Sequence, residues 1–299
     1  TKVLLQGDSW FEQINIKGGN ANYISYKIFE EFSDNYNVTF INGGTPSYSP
    51  SLMNLQLDLL EKDFNISPDI VISFIDQINI GDEFCRYKKN KVYKNNKLIR
   101  VNPEDDFKGV GWFNYSEAYV LSHIYYSGKS KPIKTLQLIN FKFYSQFKYL
   151  KKNITNKFLR LTDNKYKKSK KCYGVEMEKN LINPIKEEIK YFEFVLKEYI
   201  EKVIKKNGIK KLILVSFPYK AHFLTDNGKK YKFNMSNLVA NTLDEYPTVE
   251  HLNFSDILID NSEFDYKNIW ASDGIHLNDY NHANVFIHNI LKELKNHIK

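Results

Sequence analysis

The chain has only two cysteines, Cys85 and Cys172, among 299 residues. That is too few for a disulfide framework, and their spacing fits no metal site, so two free thiols are the default expectation, with a lone disulfide as the alternative, and no bound metal is expected. No apolar stretch approaches the roughly 18 residues that cross a bilayer, and no signal-peptide pattern is present. A cytoplasmic or membrane-peripheral location is therefore expected. The chain opens at Thr1, almost inside its first strand, so its start carries no information about a targeting segment. Self-similarity at a period of about 20–50 residues is missing, which excludes solenoids and propellers. Zinc fingers and RNA-recognition signatures are also missing, so nucleic acid is a poor candidate partner despite a net charge of +8. Acidic residues are nearly absent from one segment: Lys142 to Lys171 holds eleven Lys/Arg and a single acid, Asp163. A second basic stretch runs from Arg86 to Arg100. Such stretches suit an anionic glycan, a membrane surface or a solvated face.

What is present is a hydrophobic fraction of 42%, enough for a large α/β domain. Lys2–Gln6, Val38–Asn42, Ile70–Ile75, Lys211–Phe217 and Val249–Phe254 read as strands. Ala21–Phe32, a segment from Ser49-Pro50 to about Lys62, Glu187–Lys205 and Asp279–His297 read as helices, with Asn20, Ser49 and Asn278 or Asp279 as caps. Apolar strands alternating with amphipathic helices predict a parallel five-stranded sheet covered on both faces, a flavodoxin-like three-layer α/β/α sandwich. Residues 1–84 and 208–299 form this domain. Residues 85–207 are too long for an ordinary crossover and read as a mainly helical, basic insertion between the third and fourth strands. Within it, Phe143, Phe147, Leu150, Ile154, Phe158 and Leu161 share one helical face.

Gly7-Asp8-Ser9-Trp10 follows the first strand, and Asp273-Gly274-Ile275-His276 precedes the last helix. A serine hydroxyl needs a base to become a nucleophile. An imidazole three residues from a carboxylate can be that base, held in one tautomer by its neighbour. Backbone N–H groups at a helix start beside Ser9 suit an oxyanion. Asp8 reads as an N-cap or backbone ligand. His282 reads as facing solvent or a helix flank.

These blocks resemble the SGNH/GDSL hydrolase superfamily, whose members have a flavodoxin-like fold and are mainly esterases, lipases, carbohydrate O-acetylesterases and O-acyltransferases. By that resemblance Ser9 is the nucleophile, His276 the base and Asp273 its partner, with no metal. The family's second block supplies a glycine N–H to the oxyanion hole, and Gly43 or Gly44 in Asn42-Gly43-Gly44 occupies its place. The third block normally reads Gly-x-Asn-Asp. Here Asp76-Gln77-Ile78-Asn79 puts Ile78 where the Asn should be. An amide from Gln77 or Asn79 would have to replace it, Gln77 being preferred; one such donor is worth about 3 kcal/mol in the transition state. Trp10, Trp270 and Asn79 are candidate substrate contacts. The expected function is hydrolysis of small acyl esters, chiefly O-acetyl groups on a carbohydrate, through an acyl-enzyme on Ser9. The alternatives are a carbohydrate O-acetyltransferase, which alone would need an acyl donor such as acetyl-CoA, and a non-catalytic glycan-binding module.

Overall fold

The computed structural model describes residues 1–15, 23–102, 184–218, 233–260, 269–270 and 276–298. Five strands, β1 (Lys2–Gly7), β2 (Thr39–Gly44), β3 (Ile70–Ile75), β6 (Lys211–Ser216) and β7 (Glu250–Asn253), form one sheet in the order β2-β1-β3-β6-β7. Every pairing in it is parallel. Leaving aside the separate hairpin of β4 (Lys91–Lys94) and β5 (Lys97–Val101), this is the doubly wound order 2-1-3-4-5, so the flavodoxin-like α/β/α sandwich is the fold.

The strands are apolar runs because helices cover both faces. Val3, Leu5, Ile70, Ile72, Phe74, Ile213 and Val215 point one way. They meet Phe29 and Phe32 of α2 (Tyr23–Tyr36), Phe254 and Leu258 of α7 (Phe254–Asp260), and Val285, Phe286 and Ile290 of the C-terminal helical run. Leu4, Val71, Ile75, Leu212 and Leu214 point the other way. Their partners are Met53 and Leu57 of α3 (Pro50–Phe64), Phe192, Leu196 and Val203 of α5 (Lys186–Lys205), and Val239 of α6 (Met235–Leu243). Period-2 alternation along β1 thus assigns Leu4 to one core and its two neighbours to the other.

Contacts divide the chain into a unit of Thr1–Val101 with Val175–Lys299 and a unit of Asn102–Gly174. The expected apolar face from Phe143 to Leu161 lies outside the described residues, as does most of the insertion. At its described ends the insertion carries a β-hairpin and the helix α5. Cys85 is disulfide-bonded, which corrects the default of two free thiols in favour of the lone-disulfide alternative; Cys172 lies outside the described residues. Among the described residues, no helix is long and apolar enough to cross a membrane.

Ser49 precedes α3 as expected, but its side chain does not cap it. Glu83 performs that role from the next element. Its Oε1 accepts the Ser51 N–H at 2.7 Å and the Ser49 hydroxyl at 2.5 Å, and its Oε2 accepts the Ser51 hydroxyl at 2.7 Å. A carboxylate at a helix N-terminus meets unpaired N–H groups and the positive end of the dipole. Lys91, as buried as Glu83, closes the ion pair at 2.9 Å.

Candidate active site

The order of the strands reverses between β1 and β3, which are neighbours with Gln6 in register with Ser73. Beyond the carboxyl ends of strands at such a reversal, the two flanking connections diverge and leave a crevice. Ser9 leaves β1 at this point and Gln77 leaves β3.

Gly7 makes the exit possible. Its φ is +156°, and a Cβ there would lie 2.9 Å from the Cβ of Phe74. Only glycine tolerates both. Asp8 then caps the short helix α1 (Ser9–Glu12) by accepting the Trp10 N–H at 3.0 Å. Ser9 thereby becomes the first helical residue, half-buried at the edge of the sheet.

Ser9 Oγ lies 2.7 Å from His276 Nε2. The two residues are 267 positions apart in sequence, so this contact is a product of the fold. It is the distance at which an imidazole can take a hydroxyl proton. Asp273 lies outside the described residues. The backbone bridge between Trp270 and Leu277 brackets the segment that carries it.

The glycine pair after β2 is tightly held. Asn42 Nδ2 donates to the Phe11 carbonyl at 2.7 Å, while Asn42 Oδ1 accepts the Gly44 N–H at 2.8 Å. That hydrogen is committed to a side chain, so Gly44 is not an available oxyanion donor as it stands. A Cβ on Gly44 would lie 2.3 Å from the Glu12 nitrogen. Gly43 is fixed through its carbonyl, which accepts from Gln56 Nε2 at 2.8 Å. Gln56 in turn accepts from Gln6, whose Oε1 accepts from the Tyr199 hydroxyl at 2.6 Å. Both glycines therefore owe their places to close approach rather than to a loose loop.

Gln77 and Asn79 separate clearly. Asn79 is fully buried, accepting the Asp76 N–H at 3.0 Å and donating to the Tyr48 carbonyl at 3.3 Å. It braces the turn after β3 and does not reach toward a substrate, which corrects its assignment. Gln77 is 2% exposed, and neither its Oε1 nor its Nε2 has a hydrogen-bond partner. Leaving a buried amide unpaired costs about 1–3 kcal/mol.

The two tryptophans offered as candidate substrate contacts are buried. Trp10 is 2% exposed and packs on Phe74 and Phe217, with ring centroids 4.8 and 4.6 Å away. Trp270 is buried edge-on against Phe217. The Trp10 ring lies 5.9 Å from the His276 ring. His282, expected at a solvent-facing flank, is fully buried and stacks on Trp10 at 5.5 Å. Burial, then the nearby His276, holds its imidazole neutral, with its pKa pushed down to about 3. The apolar residues around it explain why spacing along a helix did not reveal this: the histidine occupies an aromatic slot.

Among solved structures, the chain is similar to an acetyl-xylooligosaccharide esterase from Geobacillus, at 11% identity and TM-score 0.47, covering 98% of this chain and 93% of that one. It is also similar to a lipase/acylhydrolase from Enterococcus faecalis, at 11% identity and TM-score 0.43, over 100% and 97% of the two chains. A two-domain esterase active on acetylated mannans matches at 11% identity and TM-score 0.44, over 99% of this chain. The chain spans about half of that protein, 49% of its length. No protein-family profile matches the sequence, and no curated protein does.

Proposed function

We propose that this protein is a serine esterase acting on small acyl esters. The observation that carries the reading is the 2.7 Å contact of Ser9 Oγ with His276 Nε2 at the carboxyl edge of a doubly wound sheet. Ser9 Oγ attacks the ester carbonyl as His276 Nε2 takes its proton. The tetrahedral intermediate collapses to an acyl-enzyme, and the imidazolium returns the proton to the departing alcohol. Water, deprotonated by the same imidazole, then releases the acid and restores Ser9. Asp273 is assigned to orient His276. The Ser9 N–H at the start of α1 and the unpaired Gln77 amide are assigned to the oxyanion, in place of the family's Asn. The sequence of steps uses only side chains, backbone and water, with no metal or cofactor.

O-acetyl groups on a carbohydrate are the proposed substrate class, following the resemblance carried by the Gly-Asp-Ser and Asp-x-x-His blocks. Hydrolysis of p-nitrophenyl acetate and release of acetate from acetylated xylan test both parts. Turnover is expected to favour acetyl over longer acyl chains and to fall at least 1,000-fold, roughly, in Ser9→Ala and in His276→Ala. Equal turnover by the variants overturns the mechanism. Activity on p-nitrophenyl acetate alone, with none on any acetylated glycan, overturns the carbohydrate part.

A further inference from the structure

Ser9 and His276 lie at the carboxyl ends of the parallel strands. At the amino ends, β6 opens with Lys211 and β7 with Glu250. The end of the chain returns to that place. The last helix (His288–Lys295) carries Glu293 in its final turn. His297 follows it, its backbone N–H donating to the Leu294 carbonyl at 2.9 Å. His297 Nε2 lies 2.6 Å from Glu250 Oε2 and 3.6 Å from Glu293 Oε1. One ligand atom from each of these three residues lies within 4.8 Å of the other two. Among the described residues, no other set of three His, Cys, Asp or Glu side chains converges so closely.

Ion pairing within the group does not balance it. The two carboxylates bring −2, Lys211 on Glu250 Oε1 returns +1, and a free imidazole brings none, which leaves −1. The donors are also of mixed type. An imidazole nitrogen with two carboxylate oxygens is a set that zinc takes, whereas magnesium and calcium take oxygen. With zinc bonds of about 2.0–2.1 Å in a tetrahedron, neighbouring ligand atoms stand about 3.3 Å apart. Both distances from His297 Nε2 fall within about 1 Å of that spacing. Lys211 holds the oxygen of Glu250 that does not face His297, so it serves as the outer partner that orients a ligating carboxylate. Glu250, Glu293 and His297 are 33%, 32% and 20% exposed. That leaves the fourth position to water and gives the ion a path in.

We propose that Glu250, Glu293 and His297 bind one zinc ion, which ties the last helix to the edge strand β7. The role is structural. It does not depend on the reading of Ser9 and His276, which lie at the opposite ends of the strands.

The full chain, stripped of metal, is titrated with zinc chloride against a chromophoric chelator, and its thermal melt is followed with and without zinc. One ion per chain is expected. With zinc at about one hundred times its Kd, Tm is expected to rise by about 3 °C or more. His297→Ala and Glu293→Ala are each expected to weaken binding about tenfold or more and to remove the rise in Tm. Glu250→Gln, which keeps the side-chain volume, is expected to do the same should either alanine disturb the helix. Magnesium chloride at the same concentration is expected to leave Tm in place. A wild-type chain that takes up no zinc overturns the proposal. Equal zinc affinity in wild type and the folded variants overturns the assignment of these ligands. A rise in Tm with magnesium equal to that with zinc overturns the part given to His297.

Discussion

At the scale of single residues, the unpaired amide of Gln77 makes a sharp prediction. In the resting protein Gln77 is a buried polar group without a partner, so an apolar isostere removes a desolvation cost. Gln77→Leu is expected to leave thermal stability unchanged or to raise it, by about 1 kcal/mol. The same change is expected to lower kcat about 100-fold, because the oxyanion loses a donor. Thermal melts and steady-state kinetics on one preparation check both halves, and a stability loss with kcat intact would assign Gln77 to the scaffold. Sequence alone preferred Gln77 and left Asn79 open beside it. The hydrogen bonds of Asn79 to Asp76 and Tyr48 separate them.

At the scale of elements, two junctions hold the site. Gly44 is one, where the end of β2 presses on the backbone of α1. A methyl group on Gly44 would sit 2.3 Å from the Glu12 nitrogen and 2.5 Å from the Phe11 carbonyl carbon. Backbone cannot yield as a side-chain tip can, so Gly44→Ala is expected to displace α1 and Ser9 with it. A misplacement of about 1 Å costs on the order of 100-fold in rate, and kcat measured with the protein still folded is the check. Glu83 is the other junction, binding α3 through Ser49 and Ser51 and the hairpin through Lys91. Glu83→Ala leaves a buried lysine and an uncapped helix, with an expected loss of about 3–5 kcal/mol by chemical denaturation. The helix α3 itself was legible from Ser49-Pro50 and the apolar spacing after it. Its cap was not, because the capping carboxylate comes from 34 residues later in the chain.

At the scale of the whole molecule, buried titratable groups oppose one another across pH. Asp82 is raised from 3.8 to about 7, by burial first, with Arg86 opposing. The folded state therefore holds a proton that the unfolded chain has released, and stability contributed at low pH is lost as pH rises from about 4 to 7. His282 runs the other way. Its folded value near 3 lies below the ordinary 6.5, so the unfolded chain takes up a proton first, and stability is lost as pH falls from about 6.5 to 3. His282→Phe is expected to remove most of that acid-side loss, on the order of 2–4 kcal/mol between pH 7 and pH 3. Asp82→Asn is expected to stabilise the protein by about 2 kcal/mol at pH 8 and by little at pH 4. Denaturation midpoints across this range check both, and parallel curves for wild type and variant would refute either assignment.

The sequence by itself determined the five strands, their alternation with helices, and the two blocks that carry Ser9 and His276. These are local properties: a strand buried on both faces must be apolar, and a turn off its end needs Gly7 whatever surrounds it. Only the tertiary structure decided that Trp10, Trp270 and His282 are core, that Gly44 spends its N–H on Asn42, and that Asp8 and Asp76 are buried. Each of these depends on which distant groups exclude water or fill a lone pair, and neither residue type nor spacing carries that information.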